Sequence, residues 1–220
     1  MIFDGILAVF IAYLLGSIPS AYIVTRIKTG KDIRKLGGGN AGARNVFHEV
    51  GLWAAVVVGI VDVGKGAGAV AIASLVLGAP EFFVMAAGLA AVAGHIWSIF
   101  LKFTGGNGIA TTIGVLAFLM PVELLIALAV AIVIMVVTHN PILSVNISLL
   151  LVVPISAGFL EDPWLPYVVF TIALALLLVL HFLPTARDAF VKAGSRQNFA
   201  AELLRIDLHK KSGKKKRRKK

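Results

Sequence analysis

Two short glycine-rich segments carry the clearest chemical signal in this sequence. The first is Gly37-Gly38-Gly39-Asn40-Ala41-Gly42-Ala43-Arg44-Asn45, and the second is Gly105-Gly106-Asn107-Gly108. Residues without a Cβ let successive backbone N–H groups turn toward one point, and such a concave nest holds an anion. Arg34, Lys35 and Arg44 add positive charge around the first segment. The second opens an apolar helix whose N-terminal dipole favours negative charge. Each segment alone also reads as a flexible connector. Together, on one face of a membrane, they suggest a ligand that carries phosphate. Neither is a Walker loop, because no Gly-Lys-Ser/Thr follows at the required spacing.

A second set of candidates lies inside apolar runs. Asp62 and Lys65 stand one helical turn apart. Ionised groups at such depth are expensive, so they pair with each other or line a polar cavity. His95 falls near the end of another apolar run, either as a helix-packing hydrogen-bonder or as a site residue. His139 and His181 flank the ends of such runs and read as interfacial. Gly16-Ser17-Ile18-Pro19 reads as a close helix contact followed by a bend. The 5 histidines and 11 acids form no recognised metal spacing, so no metal is expected. The absence of cysteine excludes thiolate nucleophiles, disulfides and thiol metal sites. No cofactor is called for.

The elements that position these residues are membrane helices. Hydrophobic residues make up 59% of the chain, against about 45–50% in an ordinary soluble domain. They are arranged in runs long enough to cross a ~30 Å hydrocarbon core. The reading is an all-α, polytopic membrane helix bundle of about seven transmembrane helices, over 2–23, 51–77, 82–101, 109–119, 122–137, 142–159 and 164–182. The run 109–137 is split at Pro121 because charge parity requires it. Arg26, Lys28, Lys31, Arg34, Lys35 and Arg44 share one loop, Lys102 follows the third span, and the large basic cluster follows the last. Glu81, Glu123, Glu161 and Asp162 sit in connections without Lys or Arg. With seven spans, all loop and tail cations fall on the cytoplasmic side, the N-terminus lies outside and the C-terminus is cytoplasmic. Residues 109–119 give only about 16 Å of helix, so the glycine loop before them must dip into the membrane as the lining of a cavity. No basic stretch precedes the first apolar run, which reads as a retained span and not a cleaved signal.

The net charge of +10 resides in the tail, since residues 183–220 hold 13 of the 21 Lys and Arg but 3 of the 11 acids. The organisation is therefore a membrane domain over 1–183 and a basic tail over 184–220. Next to membrane spans, such a tail reads either as a contact for anionic lipid headgroups or as a disordered, solvated segment that only fixes the chain's orientation. It lacks the aromatic-interleaved surface of a nucleic-acid binder, and no nucleic-acid partner is expected.

Taken in order, these motifs resemble the bacterial acyl-phosphate-dependent glycerol-3-phosphate acyltransferases of the PlsY type. The resemblance runs from Leu15 to about Asn198. It includes Gly-Ser-Ile-Pro at 16–19, Asp32-Ile33-Arg34, then Gly37, Gly39-Asn40, Gly42-Ala43 and Asn45-Val46. It continues through Asp62-x-x-Lys65-Gly66, Gly94-His95, Phe100, Phe103, Gly105-Gly106, Gly108 and Ala110-Thr111, and ends with Arg196 and Asn198. What it implies is transfer of an acyl group from acyl phosphate to glycerol 3-phosphate, giving lysophosphatidic acid. The enzyme would lie in the bacterial plasma membrane with its active face cytoplasmic. The residues expected to carry the reaction are Asn40, Arg44, Asn45, His48, His95 and Asn107. Those expected to bind substrate are Gly37, Gly38, Gly39, Gly42, Asp62, Lys65, Gly105, Gly106, Gly108, Ser195, Arg196 and Asn198.

The chain departs from the family pattern at chemically important positions. Gly38 replaces a serine, His48 an arginine, Asn107 a lysine, Ser195 a histidine and Ser98 a proline, while Arg44 stands where the family has threonine. The alternative expectation is thus a non-catalytic paralogue that binds acyl phosphate or an anionic lipid. A small transporter is disfavoured, since neither an inverted repeat nor paired broken helices are visible.

Overall fold

The structure is a computed structural model that describes residues 2–138 and 141–193. It is built from helices: α1 (Ile2–Gly16), α2 (Ser20–Thr29), α3 (Ala43–Glu49), α4 (Leu52–Ala71), α5 (Glu81–Ile96), α6 (Ile109–Leu119), α7 (Pro121–Thr138), α8 (Pro141–Ile147), α9 (Val153–Leu160) and α10 (Trp164–Ala193). Short 3-10 turns at Ile33–Lys35 and Ile99–Leu101 lead into the two glycine loops. Wide π turns extend α4 through Ile72–Val76 and join α8 to α9 through Ser148–Val152.

Five helical stretches are long and apolar enough to cross a membrane: Ile2–Thr29, Leu52–Val76, Glu81–Leu101, Pro121–Thr138 and Trp164–His181. Two shorter apolar helices, Ile109–Leu119 and Ser144–Leu160, occupy the other two expected positions. The chain is a multi-pass membrane protein. Its outer surface carries the residues that a soluble fold would bury, among them Phe10, Ile60, Val133, Val137 and Phe159.

Small side chains dominate the inside. Ala12, Ala69, Ala87, Ala91 and Ala127 are buried beside Val70, Val92, Val115, Leu116, Met120 and Phe170 in the main apolar cluster. Lipid offers no hydrophobic drive between helices, so close backbone approach and dispersion contacts must hold the bundle. Gly16 shows the consequence, because a methyl there would collide with the Ala91 carbonyl of α5. A second apolar cluster, built on Ile33, Val46, Val58, Ala21, Ala41 and Leu101, lies beneath the first glycine loop. Ile33 and Val46 are fully buried in it. They anchor the chain on both sides of Gly37–Gly42, so the loop is a fixed part of the bundle.

Two details differ from the sequence reading. The first span is not one continuous helix, because the Pro19 ring has no N–H to donate and the helix stops at Gly16 and restarts at Ser20. Glu123 is not in an open connection. It occupies the first turn of α7 and is buried.

Candidate functional site

The break between α1 and α2 turns backbone acceptors toward neighbouring helices. The Ser98 hydroxyl donates to the Ser17 carbonyl at 2.6 Å, and the Lys65 ammonium donates to the Ile18 carbonyl at 2.9 Å. Interrupting a helix exposes carbonyls that need partners. The sequence supplies one from α4 and one from the turn after α5. The Gly-Ser-Ile-Pro segment therefore does more than bend a span, because its carbonyls enter the polar site.

Asp62 is the centre of that site. Its Oδ1 accepts from the Ser20 hydroxyl at 2.6 Å and from Lys65 Nζ at 2.9 Å, and it lies 3.5 Å from His95 Nδ1. Asp62, Lys65 and His95 are all buried. Within a bilayer an unpaired charge is strongly disfavoured, so the carboxylate and ammonium must occur together. This network ties α2, α4 and α5 together and fixes the orientation of the His95 ring.

The first glycine loop is shaped by Asn45. Its side-chain oxygen accepts from the Gly38 N–H at 3.0 Å. Its amide donates to the carbonyls of Ile33, Leu36 and Asn40 at 3.2, 3.0 and 2.9 Å. Arg34 connects this loop to the region around the second. Its backbone and guanidinium groups bond Asp32, at 2.7 Å for the Nη2 contact, while Nη1 donates to the Leu101 carbonyl at 3.1 Å and the Thr104 hydroxyl at 3.0 Å. Hydrogen bonds from Arg34 hold the Asp32 carboxyl below its usual range, and Asp32 in turn raises the guanidinium.

The two glycine loops meet. The Ala41 N–H donates to the Gly105 carbonyl at 3.0 Å, and the Asn40 side-chain amide donates to Asn107 Oδ1 at 3.2 Å. The Gly106 N–H donates to the His95 carbonyl at 3.1 Å. Gly106 has to be glycine, because a Cβ there would strike His95 Nε2 and lie 2.8 Å from the Ala41 carbonyl. Ser17, Pro19, Ser20, Lys65, His95 and Ser98 line a narrow cleft with Ala41, Gly105 and Gly106. Cleft and loops together place one ammonium and one imidazole beside glycine-rich backbone, a setting that suits an anionic group.

Of the expected site residues, Asn40, Asn45, Asp62, Lys65, His95, Gly105, Gly106 and Asn107 come together in the two loops, the cleft they border and the buried network behind it. Gly37 and Gly39 form the exposed outer turn of the first loop with φ of 52° and 76°, and Gly108 caps α6 at φ 82°. Gly42 caps α3. Arg44 and His48 stand exposed on α3 and do not line the cleft, the His48 ring lying edge-on to Phe47 at 5.3 Å. The last helix runs on to Ala193, past the expected boundary at 183. Ser195, Arg196, Asn198 and the rest of the tail from 194 onward lie outside the described residues, as does His139. Ser20 and the Ile18 carbonyl were missed by sequence reasoning, and Ser98 registered there only as a departure from pattern. The signal that could have found them is Pro19, which guarantees that nearby acceptors need donors from elsewhere.

A family model described as glycerol-3-phosphate acyltransferase matches residues 6–189. A protein named glycerol-3-phosphate acyltransferase 2 from Dehalococcoides mccartyi is 40% identical over 190 residues, covering 86% of this chain and 89% of that one. Another so named, from Moorella thermoacetica, is 43% identical over 176 residues, covering 78% and 87%. Among solved structures, the chain is similar to the integral membrane glycerol 3-phosphate acyltransferase PlsY. The glycerol 3-phosphate form gives a TM-score of 0.71 at 27% identity, over 86% of this chain and 92% of that one. The lysophosphatidic acid form gives 0.72 at 25% identity with the same coverage.

Proposed function

Because this chain belongs to the glycerol-3-phosphate acyltransferase family, we propose that it draws its acyl group from an acyl phosphate and holds both phosphate groups on the paired glycine loops. It transfers an acyl group to glycerol 3-phosphate in phospholipid synthesis. The non-catalytic reading finds no support among relatives that are named as acyltransferases.

The observation that carries the proposal is the meeting of the loops at Ala41–Gly105 and Asn40–Asn107. An acyl phosphate is a mixed anhydride and already activated, so the protein has to bring two anions together and favour charge at the carbonyl. The 1-hydroxyl oxygen of glycerol 3-phosphate attacks the acyl carbon and a new ester C–O bond forms. The bond from that carbon to the phosphate oxygen breaks, and inorganic phosphate leaves with the electron pair and takes up the hydroxyl proton. Lys65 and the loop amides offset the negative charge. Asn40 and Asn107 border the phosphates, Gly37–Gly39 form the turn that lets the loop approach them, and Asn45 and Asp62 act as positioning residues. His95 presents Nε2 beside Gly106. Arg44 and His48 on α3, with Ser195, Arg196 and Asn198 of the tail, complete the anion site when substrate is bound.

The same reading has seven crossings, an external N-terminus and the loops at the cytoplasmic face, where the basic tail meets anionic headgroups. The test is a purified preparation in lipid nanodiscs, given palmitoyl phosphate with or without glycerol 3-phosphate. Lysophosphatidic acid and inorganic phosphate should appear in equal amounts and only with the acceptor. No turnover, or phosphate release indifferent to the acceptor, would overturn the proposal.

A further inference from the structure

Just before the second glycine loop the chain makes a turn that the reaction above does not use. Lys102 and Phe103 both adopt left-handed backbone conformations, with φ of 57° and 58°. Residues with a Cβ avoid this region, and a consecutive pair persists only where the surroundings impose it. Here they do. The Phe103 N–H donates to the Ser98 carbonyl at 2.8 Å, and Arg34 bonds Leu101 and Thr104 on either side of the pair. Leu101 is buried in the cluster beneath the first loop.

The strained turn directs apolar side chains outward. Phe100 is 59% exposed and Phe103 62%, with the exposed Lys102 between them. The bundle itself sets the level of this patch. The turn closes the apolar stretch Glu81–Leu101, and α4 begins at Leu52 on the same side, since the short connection 77–80 joins the opposite ends of those two spans. Trp53, one residue into α4, is 76% exposed, and Trp97 is partly exposed at the end of α5. Aromatic rings with a lysine at the end of apolar helices match the boundary between headgroups and acyl chains.

We propose that Phe100 and Phe103 form a wedge inserted into the headgroup boundary of the bilayer, with a phospholipid surface as the partner of this turn. The wedge continues the lipid-facing surface of the spans, and the exposed Lys102 and Lys35 complement anionic headgroups. The second glycine loop begins two residues after Phe103, so the wedge holds the cradle at headgroup depth and not out in water. An acyl phosphate with its chain in the leaflet then arrives with its phosphate at the height of the loop amides. That last consequence rests on the proposed reaction, whereas the depth of the turn does not.

The chain has no cysteine, so single nitroxide labels can be placed at Phe100→Cys, Phe103→Cys and, as an aqueous reference, Lys31→Cys. In nanodiscs of phosphatidylethanolamine and phosphatidylglycerol, power-saturation EPR should show labels 100 and 103 relaxed more by oxygen than by a water-soluble nickel chelate. Label 31 should show the reverse. Nickel accessibility at 103 equal to that at 31 would overturn the wedge, whatever the protein's activity. In a second arm, Phe100→Ser/Phe103→Ser should raise KM for palmitoyl phosphate about tenfold and leave KM for glycerol 3-phosphate unchanged. Equal changes in both, or none, would remove the role in donor presentation.

Discussion

Lys65 Nζ lies 2.9 Å from the Asp62 carboxylate and 2.9 Å from the Ile18 carbonyl, and so joins the buried charge of α4 to the broken first span. Removing either charged partner leaves the other uncompensated in a low-dielectric interior, a loss of about 3–5 kcal/mol. Asp62→Asn and Lys65→Met should each lower the thermal unfolding midpoint sharply in detergent. The double variant should recover part of that loss. Additive losses would show that the two side chains act separately.

The Ser98 hydroxyl satisfies the Ser17 carbonyl at 2.6 Å, a contact that the proline expected there from the family resemblance could not make. Ser98→Ala should cost about 1–2 kcal/mol, the penalty for a buried acceptor left without its donor. Chemical denaturation in micelles would measure it. A neutral result would mean that the acceptor finds another partner.

Gly106 and Gly59 make a matched pair. A methyl at Gly106 collides with the His95 ring, whereas one at Gly59 meets nothing within 4 Å. Gly106→Ala should reduce kcat/KM by roughly 10²-fold, the scale expected when a site group is displaced by about 1 Å. Gly59→Ala should leave activity intact and keep or improve stability, since alanine is the better helix former. Comparable activity losses in both would remove Gly106 from the site.

Asn107 and His48 replace a lysine and an arginine of the family pattern. Restoring Asn107→Lys and His48→Arg introduces charge-assisted phosphate contacts, each worth about 1.5–3 kcal/mol. KM for glycerol 3-phosphate should fall about tenfold or more, and become more sensitive to salt. Unchanged or weaker binding would mean that the Asn40–Asn107 bond at 3.2 Å is itself the better arrangement.

At the opposite end of the bundle, burial together with Glu123 and Glu81 raises the Glu161 carboxyl above its usual 4.5. A pKa higher in the folded state means that the native protein holds this proton more tightly than the unfolded chain. The associated stability is complete below about pH 4 and is lost as pH rises through the folded value. Glu161→Gln resembles the protonated form. It should raise the unfolding midpoint at pH 8 and have little effect near pH 4, and a gain confined to acid pH would contradict the assignment.

The helical, membrane-spanning character was legible because apolar run length is a strong signal, and a helix over Ile109–Leu119 is present where the split at Pro121 put one. Asp62 and Lys65 stood out because ions are rare in apolar runs. Ser20 and Ser98 did not, since a serine in a small-residue helix looks like packing until its partner is known. Their partners are a carboxylate 42 residues away and a carbonyl 81 residues away. Asn45 was marked by pattern, but its bracketing of the loop through one acceptor and three donor contacts depends on where Ile33, Leu36 and Asn40 turn their carbonyls. Backbone acceptors created by a helix break leave no residue-type signature beyond the proline itself.

Holding two phosphates together requires the two glycine loops to form one cradle in the membrane-embedded protein. Cysteines at Asn40 and Asn107, in a chain that otherwise has none, allow a direct measurement with bifunctional thiol reagents of graded length. The shortest reagents, reaching about 5 Å, should link the pair efficiently, since the native side chains are hydrogen-bonded. Linking only by reagents longer than about 15 Å, several times that hydrogen-bond distance, would show that the loops stand apart and contradict the account.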